Sequence, residues 1–537
     1  MKPLILLLLA LLAAPAWAQA PDTILVNGTI VTVDPASSVR QALAVRDGRI
    51  LALGTTAEMR KLAAPSTRVI DLGGRTVIPG LIDSHLHAIR AAQTFATEVN
   101  WTGVRSMSEA VGRIRDAAKA KPKGAWLIVA GGWTERQFAE NRRPTQAELH
   151  AAAPDNPVYV QLGYTWAVLT PPALAALNIT AADGVVTGPQ ATVIALFDRL
   201  PKPTFAQQID GTRAFFRELN RLGMTGVVDP GGNNLFAADY QALFEVWRRR
   251  EMTVRVAYSL NGQTAGKELG ELQSLTALLP QGFGDDMLRF NGIGERITLA
   301  MNNNDAATPA QDEEYYQVVR WAAGRGMTLT MHWGNDRSVG RLLSIFERVN
   351  AEVPITPLRW SIAHLNDASV ASLTRMKALG VGWTMQDAMY FGGDQLLARG
   401  VEAARRTPPI ETARKLGVNI GAGTDAHRVA SYNPFTSLQW MLDGRSVSGT
   451  AVRGPEETPD RLNALRLYTL GSAWFSHDDD TRGSLEVGKQ ADLAVLSGDF
   501  MTMPVERIGG LESVMTMVGG KVVYAAGSFT PLERGTR

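Results

Sequence analysis

His85 and His87 flank one leucine at the end of the apolar run VIPGLID. In an extended strand residues i and i+2 point to the same side, so both imidazoles reach one ion. Imidazole suits zinc and similar borderline ions. The pair alone is weak evidence, because this spacing is also common in cores and on surfaces. Three more polar residues close later apolar runs: His332 ends MTLTMHW, His364 ends RWSIAHL and Asp425 ends VNIGAGTD. One such histidine by itself reads as a satisfied core residue. Four of the seven histidines and an aspartate, all at the C-terminal ends of runs, read together as a donor set. Of the other histidines, His150 follows a helical stretch and His477 adjoins the acidic run Asp478-Asp479-Asp480; both are set aside. His427, two residues after Asp425, reads as a loop residue in preference to a substrate contact. The acidic run reads as a solvated loop, with a surface cation site as the alternative.

Composition narrows the chemistry. The 537 residues contain no cysteine, which excludes disulfides, thiolate-held clusters, thiol nucleophiles and Cys-based zinc sites. A metal must therefore rest on His, Asp, Glu or a modified Lys. With 54 basic against 52 acidic side chains, no basic tract points to nucleic acid. A chain 45% hydrophobic and 20% charged is a folded protein, neither disordered nor multi-span. Residues 1–18 carry one lysine, an apolar run and the ending Ala16-Trp17-Ala18. That is the pattern of a secretory signal peptide, cleaved after Ala18, and it implies a periplasmic or secreted protein. The competing reading, an uncleaved anchor, needs a run of roughly 20 residues.

The elements that must position the donors follow from patterning. Residues 22–79 and 482–530 alternate apolar and polar positions between Asn-Gly, Asp-Gly and Gly-Gly turns, as β-hairpins do. Between them, residues 80–481 alternate helical segments with apolar runs. The runs are VIPGLIDSHLH, WLIVAGG, GVVDPGG, MLRFNGIG, MTLTMHW, RWSIAHL, VGWTMQD and VNIGAGTD. About eight βα units predict an α/β fold, a (β/α)8 TIM barrel whose strand ends converge on one pocket. An open doubly wound sheet would need a Gly-rich phosphate loop, and none is present. Residues 133–215 exceed one βα unit and predict an insertion over the barrel mouth.

IPGLIDSHLH, the single His after later strands, GxxTD and the C-terminal GSLEVGKQADLAVLSGD with MVGGKVVY resemble the amidohydrolase superfamily. GGWTERQFAENRRPTQAEL, APDNPVYV and HWGNDRSVGRLL resemble its branch of N-substituted formamide deformylases (amidohydrolase family 3). The resemblance implies a barrel with a small β-sandwich closed from both chain ends. It implies a divalent metal, zinc first, as one ion or two. His85 and His87 would bind the more buried ion with Asp425. His332 and His364 would bind a second ion or orient substrate and water. Many members place a carboxylated lysine between the ions, but Arg289 stands at that position here. Glu295, six residues on, is the nearest carboxylate able to bridge, with a loop cap as its equal alternative. The branch often carries a histidine in the segment LGYTWAVLTPPAL, where this chain has Tyr164 and Trp166; these become pocket or lid candidates, against plain packing.

The implied reaction is hydrolysis of an amide-type C–N bond, with Asp425 as general base and then general acid and His364 or His332 at the oxyanion. Related deaminases carry a Glu three residues after the fifth-strand His; here Trp333, Gly334 and Asn335 follow His332, which disfavours ring deamination. Asp83 is a supporting residue or a plain strand-end polar group, and Asp336 with Arg337 braces a loop through an ion pair in preference to acting on substrate. An ester or lactone hydrolase, and a non-catalytic periplasmic binding or regulatory protein on the same scaffold, are the rival readings. The expected partner is a small-molecule substrate, with no nucleic acid, no membrane contact after signal cleavage, and an oligomer left open.

Overall fold

A computed structural model describes residues 20–232, 235–302 and 306–533, so the expected signal segment lies outside it. Eight short strands build the centre: β1 (Leu81–Asp83), β2 (Met224–Asp229), β3 (Arg255–Leu260), β4 (Leu288–Ile293), β5 (Thr330–Trp333), β6 (Ser361–His364), β7 (Gly382–Gln386) and β8 (Ile420–Gly423). They form two four-stranded parallel sheets, ordered β4-β3-β2-β1 and β5-β6-β7-β8. A parallel bridge between Ile293 and Leu329 joins them on one side. On the other, Ser84 N–H donates to Ala422 O (3.0 Å) and Asp425 N–H to His85 O (2.8 Å). The strands are buried almost throughout, as parallel strands covered on both faces must be.

Helices cover these strands around one large apolar cluster that includes Phe215, Phe346, Trp360 and Trp383. Local sequence starts them where the site needs them. Asn335 caps the helix Asp336–Glu352, its side chain accepting from Ser338 N–H, so the chain leaves β5 directly into a helix. Thr204 and Thr308 form capping boxes with Gln207 and Gln311. Gly211 sits mid-helix in Phe205–Arg221 because a Cβ there would stand 2.2 Å from Ala92 O. That close approach presses the helix after His87, Ala88–Phe95, onto its neighbour.

The number of central strands matches the sequence expectation, but one member differs. WLIVAGG supplies Leu127–Val129, which joins a separate sheet with Val158–Leu162, Trp166–Leu169 and Val185–Thr187. The missing strand is β3, RVAYSL, which opens on a charge. Arg255 is buried there by its ion pairs with Asp492 (2.7 Å) and Asp286 (2.7 Å). Consequently the extra sheet begins upstream of residue 133, and the helix Phe205–Arg221 covers the central strands.

Both chain ends meet in one further sheet: Leu493–Leu496 pairs antiparallel with Thr76–Pro79, Ala494 opposite Ile78. A shared cluster of Leu25, Leu43, Ile70, Val77, Leu493 and Met515 links it to the sheet of Thr23–Val26, Ala42–Arg46, Arg49–Gly54 and Arg68–Asp71. The acidic run is solvated only in part: Asp480 is exposed, but Asp478 pairs with Arg289 and with Arg482 (2.6 Å), and Asp479 with Arg359. No helix among the described residues is long and apolar enough to cross a membrane.

Candidate functional site

The C-terminal ends of β1, β4, β5, β6 and β8 bring His85, His87, Glu295, His332, His364 and Asp425 together. Glu295 lies at the centre. Its Oε1 is 3.4 Å from His87 Nε2, and its Oε2 is 3.2 Å from His85 Nε2, 2.9 Å from His332 Nδ1 and 3.6 Å from His364 Nε2. Asp425 Oδ1 is 3.1 Å from His87 Nε2 and 3.8 Å from His85 Nε2, while Oδ2 is 3.9 Å from His364 Nδ1. His364 Nε2 and His332 Nδ1 are 2.6 Å apart. The side chains of His85 and His87 are 0% and 4% exposed, against 25% for His332 and 14% for Asp425, so approach is from the His332 and Asp425 side.

Neighbouring strands hold this arrangement. Asp83 accepts from His85 N–H (2.9 Å) and from the Thr424 hydroxyl (2.7 Å), tying β1 to β8. Gly423 allows this, because a Cβ there would stand 2.5 Å from Asp83 Oδ1 and 2.6 Å from His85 N. His364 and Asp425 both adopt left-handed backbone, φ 68° and 54°. Such conformations cost on the order of 1–3 kcal/mol each and persist where surroundings impose them. For His364 the clamp is Trp383, whose indole N–H donates to its carbonyl (2.9 Å).

The donor chemistry fits a divalent metal. His87 Nδ1 donates to Gly231 O (2.7 Å), because a carbonyl only accepts. With Nδ1 held by that carbonyl, Nε2 is the nitrogen left to bind a metal, and it faces Glu295 and Asp425. Both ring nitrogens of His85 are buried without a hydrogen-bond partner among the described residues. Two overlapping sets, His85–Glu295–His364 and His85–His87–Asp425, each place three ligand atoms within 4.8 Å of one another. Burial opposes charge on Glu295, yet the charges of His332 and His87 and hydrogen bonds from His332 and His364 hold its carboxyl well below the usual range. Burial and the neighbouring His332 push His364 down to about 4, leaving it the neutral ring a metal requires. Burial raises the Asp83 carboxyl to about 6 against its hydrogen bonds.

Other expectations divide. Arg289 is remote from the cluster: it pairs with Asp478 and donates to Ser476 O (2.8 Å), near the start of β4. Tyr164 lines a cavity of about 590 Å³ between the extra sheet and the helix after His87. Trp166 does not line it; its ring packs edge-on against Trp133 under Arg143. His427 has a loop partner, Glu98 (2.9 Å), which also binds Arg428 (2.9 Å). Asp336 braces the neighbouring loop by accepting from Ser369 N–H (2.8 Å). His477 meets the Thr328 hydroxyl (2.6 Å). Sequence reasoning missed Gln386, whose amide meets His364 Nδ1, and Asp229, which accepts from Ile89 and Gly231 N–H (2.8 and 2.9 Å). Both end an apolar run, the signal already used for the histidines.

Known proteins resemble this chain at low identity. The N-substituted formamide deformylase of Arthrobacter pascens is 24% identical, covering 94% of this chain and 99% of its own. A metal-dependent hydrolase of uncharacterised function from Pyrococcus horikoshii superposes with a TM-score of 0.66 at 20% identity, over 90% of this chain and 99% of its own. An adenosine deaminase from Xanthomonas campestris with bound zinc superposes at 0.56 and 17% identity, over 94% of this chain and 93% of its own. The profile of the amidohydrolase family matches residues 68–524, a span that takes in every strand end of the cluster and the strands from both chain ends that pair beside it. The chain is a member of the amidohydrolase family.

Proposed function

We propose that this chain hydrolyses an amide-type, non-peptide carbon–nitrogen bond of a small molecule at the cluster around Glu295. It is a metal-dependent hydrolase of carbon–nitrogen bonds. The observation that carries the site assignment is the fixed His87 ring, whose Nδ1 is held by Gly231 O and whose Nε2 faces two carboxylates. His85, His87 and Asp425 would hold one ion, His332 and His364 a second, and Glu295 would lie between. Zinc fits this mixed imidazole and carboxylate set. A bound divalent ion supplies a Lewis acid and acidifies water to a pKa near 7.

The chain's own groups do the rest. Asp425 Oδ2 takes the proton of the attacking water and delivers it to the leaving nitrogen. His332, the most open of the four histidines, stands beside the developing oxyanion with His364. Asp83, Gln386 and Gly231 O orient ligands. The absence of a Glu after His332 supports amide hydrolysis over ring deamination.

The architecture is read to match. The seams at Ile293–Leu329 and Ser84–Ala422 support one closed (β/α)8 barrel over 80–481. The cluster shared by the two terminal sheets supports a β-sandwich from 22–79 and 482–530. Tyr164 is assigned to the substrate cavity. Export to the periplasm or beyond rests on the sequence of residues 1–18 alone.

The test is a panel of N-formyl amines, N-acyl amines and chromogenic esters, assayed before and after chelation. Amine release that stops on chelation and returns with zinc is expected. Turnover indifferent to the chelator would sink the metal assignment. Ester turnover alone would move the reading to an ester or lactone hydrolase, and no turnover with no metal uptake to a non-catalytic protein.

A further inference from the structure

Arg90 lies one turn into the helix that follows His87, half-buried on the wall of the 590 Å³ cavity. Among the described residues its side chain takes part in no hydrogen bond or ion pair, and it is not one of those with interactions left unstated. The other charges around the cavity are engaged. Glu98 binds His427 and Arg428, Lys202 pairs with Asp198 (3.2 Å), and Asp239 accepts from Phe236 N–H (2.7 Å). An unpaired guanidinium lining a cavity is costly unless something binds it.

Its position ties the cavity to the metal cluster. A side-chain carbon on Gly232 would stand 3.1 Å from the His87 ring and 3.8 Å from Arg90 Nη1. A position without a side chain thus lies between the guanidinium and a ligand ring. Burial opposes its charge, but the fields of Tyr164, Glu295, Asp425 and Asp229 keep it cationic. Ile128, Ile194, Phe197 and Leu200 supply an apolar part of the same wall.

We propose that Arg90 receives an anionic group of the substrate, a carboxylate a few bonds from the scissile carbon–nitrogen bond, while an apolar body fills the cavity beyond. Guanidinium offers paired donors that match a carboxylate in one plane. The cavity size suits a small molecule of this kind. This rests on the cluster being the catalytic centre and specifies the substrate class.

Binding tests it without turnover. Calorimetry with phenylacetate and with phenylacetamide compares the same apolar body with and without charge, in wild type, Arg90→Met, Arg90→Lys and Lys202→Met. Wild type and Lys202→Met are expected to bind phenylacetate at least about tenfold more tightly than the amide, the equivalent of about 1.4 kcal/mol. Arg90→Met is expected to level the two, and Arg90→Lys to keep a reduced preference. A preference that survives in Arg90→Met would overturn the proposal, since the carboxylate then binds elsewhere, at the cluster included. So would wild type with no preference or no binding. If Arg90→Met does not fold, Arg90→Lys decides: an undiminished preference overturns. Amide hydrolysis without an Arg90-dependent preference sinks this proposal alone. An Arg90-dependent preference without hydrolysis sinks the hydrolase reading alone.

Discussion

Glu295 and His332 are joined twice: His332 N–H donates to Glu295 O at 3.0 Å, and their side chains meet at 2.9 Å. The backbone bond links the segment after β4 to β5. It aims the carboxylate at the histidines rather than into a loop. A register pairing thus sets the geometry of a functional side chain.

Asp425 has the proton-transfer role. Asp425→Asn keeps the shape and one oxygen ligand but loses the base. Its kcat is expected to fall by about 10²–10⁴-fold, with most of the metal retained in elemental analysis. A variant with full metal and full kcat would exclude that role.

Gln386 acts through His364. Removing a group that orients a ligand costs about 10–100-fold in metal affinity or activity. Gln386→Ala is expected to show that loss in a zinc titration, with unchanged secondary structure by circular dichroism. Unchanged affinity and activity would reduce the contact to packing.

Arg255 and Asp492 tie the central strands to the terminal sheet, both side chains nearly fully buried. Breaking one side of such a pair leaves a buried charge and costs about 3–5 kcal/mol. Asp492→Ala should lower the thermal midpoint markedly. A midpoint equal to wild type would mean that Asp286 suffices for Arg255.

His477 gives the pH dependence of stability a sign. Burial and the Arg359 and Arg289 charges push it down to about 4, below the ordinary value of 6.5. Between those values the unfolded chain binds more protons, so this group makes stability fall as pH drops from 6.5 to 4 and adds no further loss below. The full effect is about 3 kcal/mol at about 1.4 kcal/mol per pH unit. His477→Gln is expected to flatten that part of a denaturant-midpoint profile. An unchanged slope would contradict it.

The sequence made the donors legible because strand geometry is simple: period two places His85 with His87, and the ends of apolar runs mark His332, His364 and Asp425. Glu295 was only half legible, since its place depends on the β4–β5 pairing. Arg289 drew attention by position in the family pattern, yet it lies near the start of β4, away from the strand ends. The strand count hid an exchange. Leu127–Val129 has the apolar run of a central strand, while β3 carries an arginine whose partners lie up to 237 residues away. Composition does not show a buried ion pair of that span. Arg90 was invisible for the same reason: its cavity is built by a sheet folded from elsewhere in the chain.

A metal centre organised on Glu295 shows itself in the metal content per chain. Elemental analysis of wild type and Glu295→Ala, purified and then incubated with zinc, is the measurement. Bound metal is expected in wild type, with a clear fall, by one ion per chain or more, in the variant. Wild type that neither retains nor takes up metal, or a variant with undiminished content, would contradict it.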